Sequence, residues 1–219
     1  MTETVGLHQL PVELDNESVI FSYGSLLEHD QLRDLLKNRV DFKIFETSDP
    51  AEAASLVKNN PKDIVILRNV RLENVRVAIV TERMLRRCYK NRGGEIEELI
   101  SLGVTTTEIP QALFLLARPA ELFEKGRHLN GGLICNFTEY ELAILDKYEF
   151  EPVLKRTRTP ELKIGSRTFF PKAITFYAGN EVFDSITPEE RAERARLFNL
   201  TRKAGQLSPQ ARWQKNVRR

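Results

Sequence analysis

Ser18-Val19-Ile20-Phe21-Ser22-Tyr23-Gly24-Ser25-Leu26-Leu27 opens as an apolar run and breaks at Tyr23-Gly24-Ser25. It then leads directly into Leu32, Leu35, Leu36 and Arg39 at steps of three and four. The first half reads as a short strand and the second as one face of a helix. Working outward, the period returns to two at Ile64-Val65-Ile66-Leu67 and again where Val75, Val77 and Ile79 alternate with Arg76 and Ala78. Ala112–Ala117, closed by Arg118-Pro119, is a further strand. Asn130-Gly131-Gly132 reads as a turn, followed by a short strand from Leu133 to Cys135. After Pro152 come strands at Val153–Arg158 and Ala173–Tyr177, with a turn at Ile164-Gly165-Ser166 between them.

Helix starts are marked by caps. Ser48 or Asp49 precedes Pro50, and Asn59-Asn60-Pro61 ends that helix. Thr138 with Glu141, and Thr187 with Glu190 behind Pro188, are capping boxes, in which hydroxyl and carboxylate satisfy two orphan backbone donors. Arg83–Arg92 is basic and reads as a loop or ragged helix. The last helix is expected to stop near Gly205, with another short helix starting at Ser208-Pro209. Strands joined by turns and single helices do not make a doubly wound sheet. The expected class is α+β: a small mixed β-barrel with surrounding helices and a C-terminal helical extension.

The chain has 219 residues, 41% of them apolar and 29% charged. That is an ordinary globular composition at a length that buries roughly 70% of the unfolded surface. No apolar run approaches a membrane span, and the acidic start MTETVGLHQLPVELDNE is not a signal peptide. Cys88 and Cys135 lie far apart, so reduced, buried thiols and a cytoplasmic address are expected. The last 19 residues hold six basic side chains and no acid, leaving the body at −4 and the tail at +6. A solvated tail is the plainer reading of that asymmetry, so nucleic acid is not expected as a partner. His8, His29 and His128 are scattered, and neither phosphate-loop, zinc-ligand nor nucleophile-elbow motifs occur. No metal and no cofactor are expected.

Two features carry chemistry. At Tyr23-Gly24-Ser25-Leu26 a strand gives way to a helix, aiming backbone N–H groups at one spot that a ligand approaches past Gly24. Farther on, Leu142, Leu145 and Glu149 fall on one face of the helix that begins at Thr138. A carboxylate on an apolar stripe at a helix C-terminus is disfavoured as an anion by desolvation and by the dipole. Both effects raise its pKa toward that of a general base.

Both stretches resemble signatures of the gamma-glutamylcyclotransferase-like superfamily. Tyr23-Gly24-Ser25-Leu26 is similar to its Y-G-S-[LN] motif, and Leu142-Ala143-Ile144-Leu145-Asp146-Lys147-Tyr148-Glu149 to its L-x-x-L-D-x-[YF]-E helix end. The similarity runs from about Val19 to Ala178, with an apparent insertion near 40–62. It implies an N-terminal arm at 1–17, a family domain at 18–180 and a basic helical extension at 181–219. It also implies release of 5-oxoproline and a free amine from a small gamma-glutamyl substrate, without cofactor. In that picture Glu149 is the general acid/base. Tyr23, Gly24, Ser25 and Leu26 form the substrate cradle, and Tyr177 lines the pocket.

Asp146, also matched, is expected to accept backbone bonds at the helix end. Phe150 stands where the family has Gly, and Val153-Leu154 where it has an aromatic, with Lys155 and Arg156 supplying the basic part. These departures leave open an altered substrate, or a non-catalytic protein that binds a small acidic metabolite on the same fold.

Overall fold

The computed structural model describes residues 9–23, 25–88, 113–123, 126–148, 154–159, 161–184 and 186–203. Nine strands form one mixed sheet: β1 (Ile20–Ser22), β2 (Ile44–Thr47), β3 (Ile64–Thr81), β4 (Leu113–Pro119), β5 (Arg127–Cys135), β6 (Leu154–Arg158), β7 (Leu162–Ile164), β8 (Arg167–Phe169) and β9 (Ile174–Ala178). Among the described residues six α-helices accompany them: α1 (His29–Leu35), α2 (Pro50–Asn59), α3 (Glu82–Cys88), α4 (Glu139–Tyr148), α5 (Asn180–Asp184) and α6 (Pro188–Lys203). The path through the sheet is β6-β9-β1-β5-β3-β7-β8, with β2 and β4 also paired to β3. The pairs β1–β9 and β2–β3 are parallel and the rest antiparallel. The sheet is a curled half-barrel, the coarser form of the small mixed β-barrel expected; among the described residues β6 and β8 have no partner on their outer sides.

Both faces of the sheet are buried, so its strands read as continuous apolar runs. Ile20, Ile64, Ile66, Ile134 and Phe176 point to one side, where Leu32, Leu35 and Leu36 at α1, Leu142 and Leu145 of α4, and Val182 and Phe183 of α5 cover them. Phe21, Val65, Leu67, Leu133 and Tyr177 point to the other, packed with Leu10, Leu14 and the alanines Ala53 and Ala54 of α2. Residues 9–17, expected to be a loose arm, are therefore anchored: Leu14 is fully buried and Val12–Leu14 form a 3₁₀ turn.

Several local expectations change. The two strands expected near 64 and 75 are one 18-residue strand, β3, bent where its register with β5 shifts after Leu67 and after Leu72. Asn69 and Asn74, in the left-handed region at φ 59° and 53°, absorb those bends. Asn130-Gly131-Gly132 is not a turn but the middle of β5. A Cβ on Gly131 would lie 2.3 Å from the Ser22 carbonyl oxygen, and one on Gly132 would lie 2.9 Å from that of Leu67. These glycines let three backbones close on one another. Arg118-Pro119 belongs to β4 instead of closing it, and a hairpin of β7 and β8 turns at Gly165 (φ 60°). The basic stretch after Thr81 is helical through Cys88.

The helix caps are as expected. Asp49 accepts from Ala51 N–H at 2.9 Å. Thr138 N–H donates to Glu141 at 2.8 Å, and Thr187 N–H to Glu190 at 3.1 Å. Residues 204–219, which include the expected end near Gly205 and the short helix at Ser208, lie outside the described residues, as does the N-terminal 1–8 segment.

Candidate active site

Strand β1 ends at Ser22 and runs parallel to β9, with Ile20 beside Ile174. Continuing that register brings Tyr23 level with Tyr177. The Tyr23 hydroxyl reaches the Phe176 carbonyl at 3.5 Å, a long hydrogen bond, and its ring centroid lies 6.4 Å from that of Phe21. Both tyrosines are buried, 8% and 3% exposed, in the same apolar layer. One phenol thus lies just past the carboxyl end of β1 and the other one residue before that of β9.

Tyr177 is the more unusual of the two. Among the described residues its hydroxyl makes no hydrogen bond. Burial pushes its pKa up, only partly offset by the nearby Thr175 hydroxyl. Thr175 is itself paired with Thr159, hydroxyl to hydroxyl at 2.7 Å. Leaving a buried hydroxyl unsatisfied costs about 1–3 kcal/mol.

After Tyr23 the chain turns through the 3₁₀ segment Ser25–Leu27 into α1. Leu26 and Leu27 are each 1% exposed and anchor this turn in the helix-side core. Leu26 can therefore offer a ligand its backbone, not its side chain. Gly24 and the Ser25 side chain lie outside the described residues.

A charge network that nothing in the local sequence announced holds the far end of the turn. Arg68 donates to the Leu27 carbonyl at 2.6 Å and pairs with Glu46, which also contacts His29 Nε2 at 2.7 Å. Burial pushes Glu46 up, but its bonds to Arg68 and His29 outweigh that and hold it below the usual carboxylate range. The available signal was an arginine, Arg68, directly after the apolar run Ile64–Leu67. Its partners come from the 3₁₀ turn and β2, which only the fold brings together.

The start of β6 lies at the same end of the sheet, with Leu154 beside Ala178. Asp146, in the last turn of α4, forms an ion pair with Arg156 of β6 at 3.7 Å. Its partner is thus a side chain across the fold, not the backbone at the helix end as expected, and its Oδ1 is buried without a hydrogen bond among the described residues. Glu149 and Phe150 follow Tyr148 in sequence and lie outside the described residues. The other end of α4 is fixed by Arg39, which donates through Nε to Glu141 at 2.7 Å and through Nη2 to the Asn136 carbonyl at 2.6 Å. Burial raises the Glu141 pKa, but Arg39 and Thr138 outweigh it and hold it low.

Among the described residues no three His, Cys, Asp or Glu side chains come together as metal ligands, and no helix is long and apolar enough to cross a membrane. Of the expected site residues, Tyr23 and Tyr177 lie level with one another at one end of the β1–β9 pair, whereas the Leu26 side chain is buried in the core layer on the other face of the sheet. An open depression of about 370 Å³ lies at the opposite end of β9, lined by Glu17, Arg156, Thr157, Arg158, Lys172 and Ile174.

No family model matches the sequence, and no curated protein matches it. Among solved structures, YkqA from Bacillus subtilis aligns with 88% of this chain at 10% identity and a TM-score of 0.38. The chain spans 58% of the length of that structure.

Proposed function

We propose that the chain is a gamma-glutamyl cyclotransferase-type enzyme on a gamma-glutamylcyclotransferase-like fold, releasing 5-oxoproline and a free amine from a gamma-glutamyl amide. The observation that carries this reading is the buried, unpartnered Tyr177 hydroxyl beside Tyr23, at the strand end that leads into Gly24-Ser25-Leu26. A buried phenol with no acceptor among the described residues, near a strand end, is a ready partner for a substrate oxygen.

The chemistry asks little of the protein. The substrate's α-amino group attacks its own γ-carbonyl carbon; the new C–N bond closes the lactam and the original amide C–N bond breaks. Glu149 takes one proton from the α-ammonium and returns it to the leaving nitrogen, which also receives the proton the ring nitrogen loses after attack. The amine thus departs as its ammonium, the carboxylate is restored and no water is consumed. The backbone at Gly24, Ser25 and Leu26 holds the substrate in a near-attack shape and receives the oxyanion. Tyr177 donates to a substrate oxygen, and the Asp146–Arg156 pair ties the last turn of α4, just before Glu149, to β6.

A second reading, a non-catalytic binder of a small acidic metabolite, is favoured by Phe150 standing beside the catalytic candidate. The test is 5-oxoproline release from gamma-glutamyl amino acids, glutathione and gamma-glutamyl amines by the full chain. Turnover of any member supports the enzyme. Saturable binding with no turnover supports the binder.

A further inference from the structure

We propose that the outer edge of β6 is a docking site for an extended acidic peptide, which adds to the sheet as a further strand. This site does not rest on the cyclotransferase reading, although Arg156, through its pair with Asp146, belongs to both. The β6–β9 register places Arg158 opposite Ile174, Thr157 opposite Thr175 and Arg156 opposite Phe176. Thr159 N–H bonds to the Ala173 carbonyl at 2.8 Å, whereas Ile174 N–H turns away to the Val19 carbonyl of the preceding segment at 2.9 Å. In an antiparallel pair, bonded and non-bonded rungs alternate. Residues 159 and 157 therefore face β9, while the backbone N–H and C=O groups of Arg156 and Arg158 face outward. No strand covers them among the described residues.

Exposed edges are commonly guarded by charge, and that alone makes no site. Three further observations point to an occupant. The edge borders the open depression of about 370 Å³, which Glu17, Lys172 and Ile174 line on the β9 side. Arg156, Arg158 and Lys172 line that space together with Glu17, and Asp146 lies 3.7 Å from the Arg156 guanidinium. Arg158 is already oriented by an Nε–H bond to the Pro171 carbonyl at 3.1 Å. Arg156 and Arg158 lie two apart on one face of the strand, so an incoming strand with carboxylates at alternate positions would set them opposite both guanidinium groups. A second copy of this edge would set arginine against arginine, which excludes self-pairing. A nucleic acid would meet the charge but could not use the outward backbone groups as a strand does.

The probe is a fluorescein-labelled ten-residue peptide of alternating Glu and Val, titrated by anisotropy into the full chain. Controls are an equally charged peptide with Pro in place of Val and a ten-nucleotide oligouridylate. Amide exchange is followed in parallel. The account expects the Glu/Val peptide to bind with Kd below about 1 mM, weakening with salt and losing at least about tenfold with the Pro analogue, whose missing N–H groups cannot complete the ladder. Arg156→Gln and Arg158→Gln should each weaken binding about two- to fivefold. On binding, the Arg156 and Arg158 amides should become protected while Thr157, already bonded to β9, changes little. Absence of binding at 1 mM overturns the proposal. So does equal binding of the Pro peptide or the oligouridylate without protection of the Arg156 and Arg158 amides, because that is charge attraction without strand addition.

Discussion

Removing the Arg39 guanidinium tests whether the start of α4 is fixed by a buried charge pair. Arg39 and Glu141 side chains are 11% and 9% exposed and share two hydrogen bonds, one of them Nε to Oε1 at 2.7 Å. Arg39→Met keeps most of the aliphatic stem but leaves the Glu141 carboxylate in a poorly solvated site with only Thr138 as partner. Breaking a buried pair from one side costs about 3–5 kcal/mol; with Thr138 retained, about 3 kcal/mol is expected here. For a chain of this size that corresponds to a fall in Tm of about 6–12 °C.

The pH dependence has a definite sign. Glu141 is held below its ordinary value of 4.5 in the folded state, so its contribution is fully present above that value and is lost as pH falls through the lower folded value. In Arg39→Met burial is less opposed and the carboxyl pKa rises, so the variant's deficit should shrink on acidification below about pH 5. Urea unfolding of wild type, Arg39→Met, Glu141→Gln and the double variant at pH 7 and pH 4 gives the coupling energy directly. A coupling of about 0.5 kcal/mol or less at pH 7, the worth of a surface pair, would refute the reasoning.

Other expectations are simpler to check. Gly131→Ala places a methyl group 2.3 Å from the Ser22 carbonyl and 2.5 Å from the Phe21 ring; separating those backbones should cost about 1–3 kcal/mol or more in urea unfolding. Thr187→Ala removes the cap bond to Glu190 N–H and should cost about 1 kcal/mol without changing any activity. Burial pushes the Cys135 thiol up to about 12, so it should resist a thiol reagent at pH 8 in the native protein and react once the chain unfolds. Tyr177→Phe removes the unpartnered hydroxyl. It should leave stability within about 1 kcal/mol of wild type, while lowering kcat/KM for whichever gamma-glutamyl compound turns over.

What the sequence made legible was local. The caps at Asp49, Thr138 and Thr187 are short-range chemistry, and each is in place because the hydroxyl or carboxylate and its backbone partner lie within three residues. The strand-to-helix break at Tyr23 was visible for the same reason, as were the paired apolar and polar positions of β3 and β9. What was hidden depended on distant partners. Gly131 and Gly132 carry a turn's composition, yet they serve a close approach to Ser22 and Leu67, which lie more than 60 residues away in the chain. Arg68 and Asp146 gave no sign of their partners, because Leu27, Glu46 and Arg156 meet them only across the folded sheet. The burial of Leu10 and Leu14 follows from α2 covering the inner face, which a polar-looking segment does not disclose. Of the candidate site, the motifs marked Tyr23 and Leu26, but the unsatisfied state of Tyr177 belongs to the packing alone.

The central claim stands or falls on Glu149. Wild type and Glu149→Gln, matched for folding by urea midpoint, are compared for 5-oxoproline release from the best gamma-glutamyl substrate of the panel. Loss of the general acid/base predicts turnover falling by about 10²–10⁴-fold with little change in stability. Turnover that survives in Glu149→Gln would contradict the assignment of that residue, and no turnover by folded wild type on any member would contradict the reaction itself.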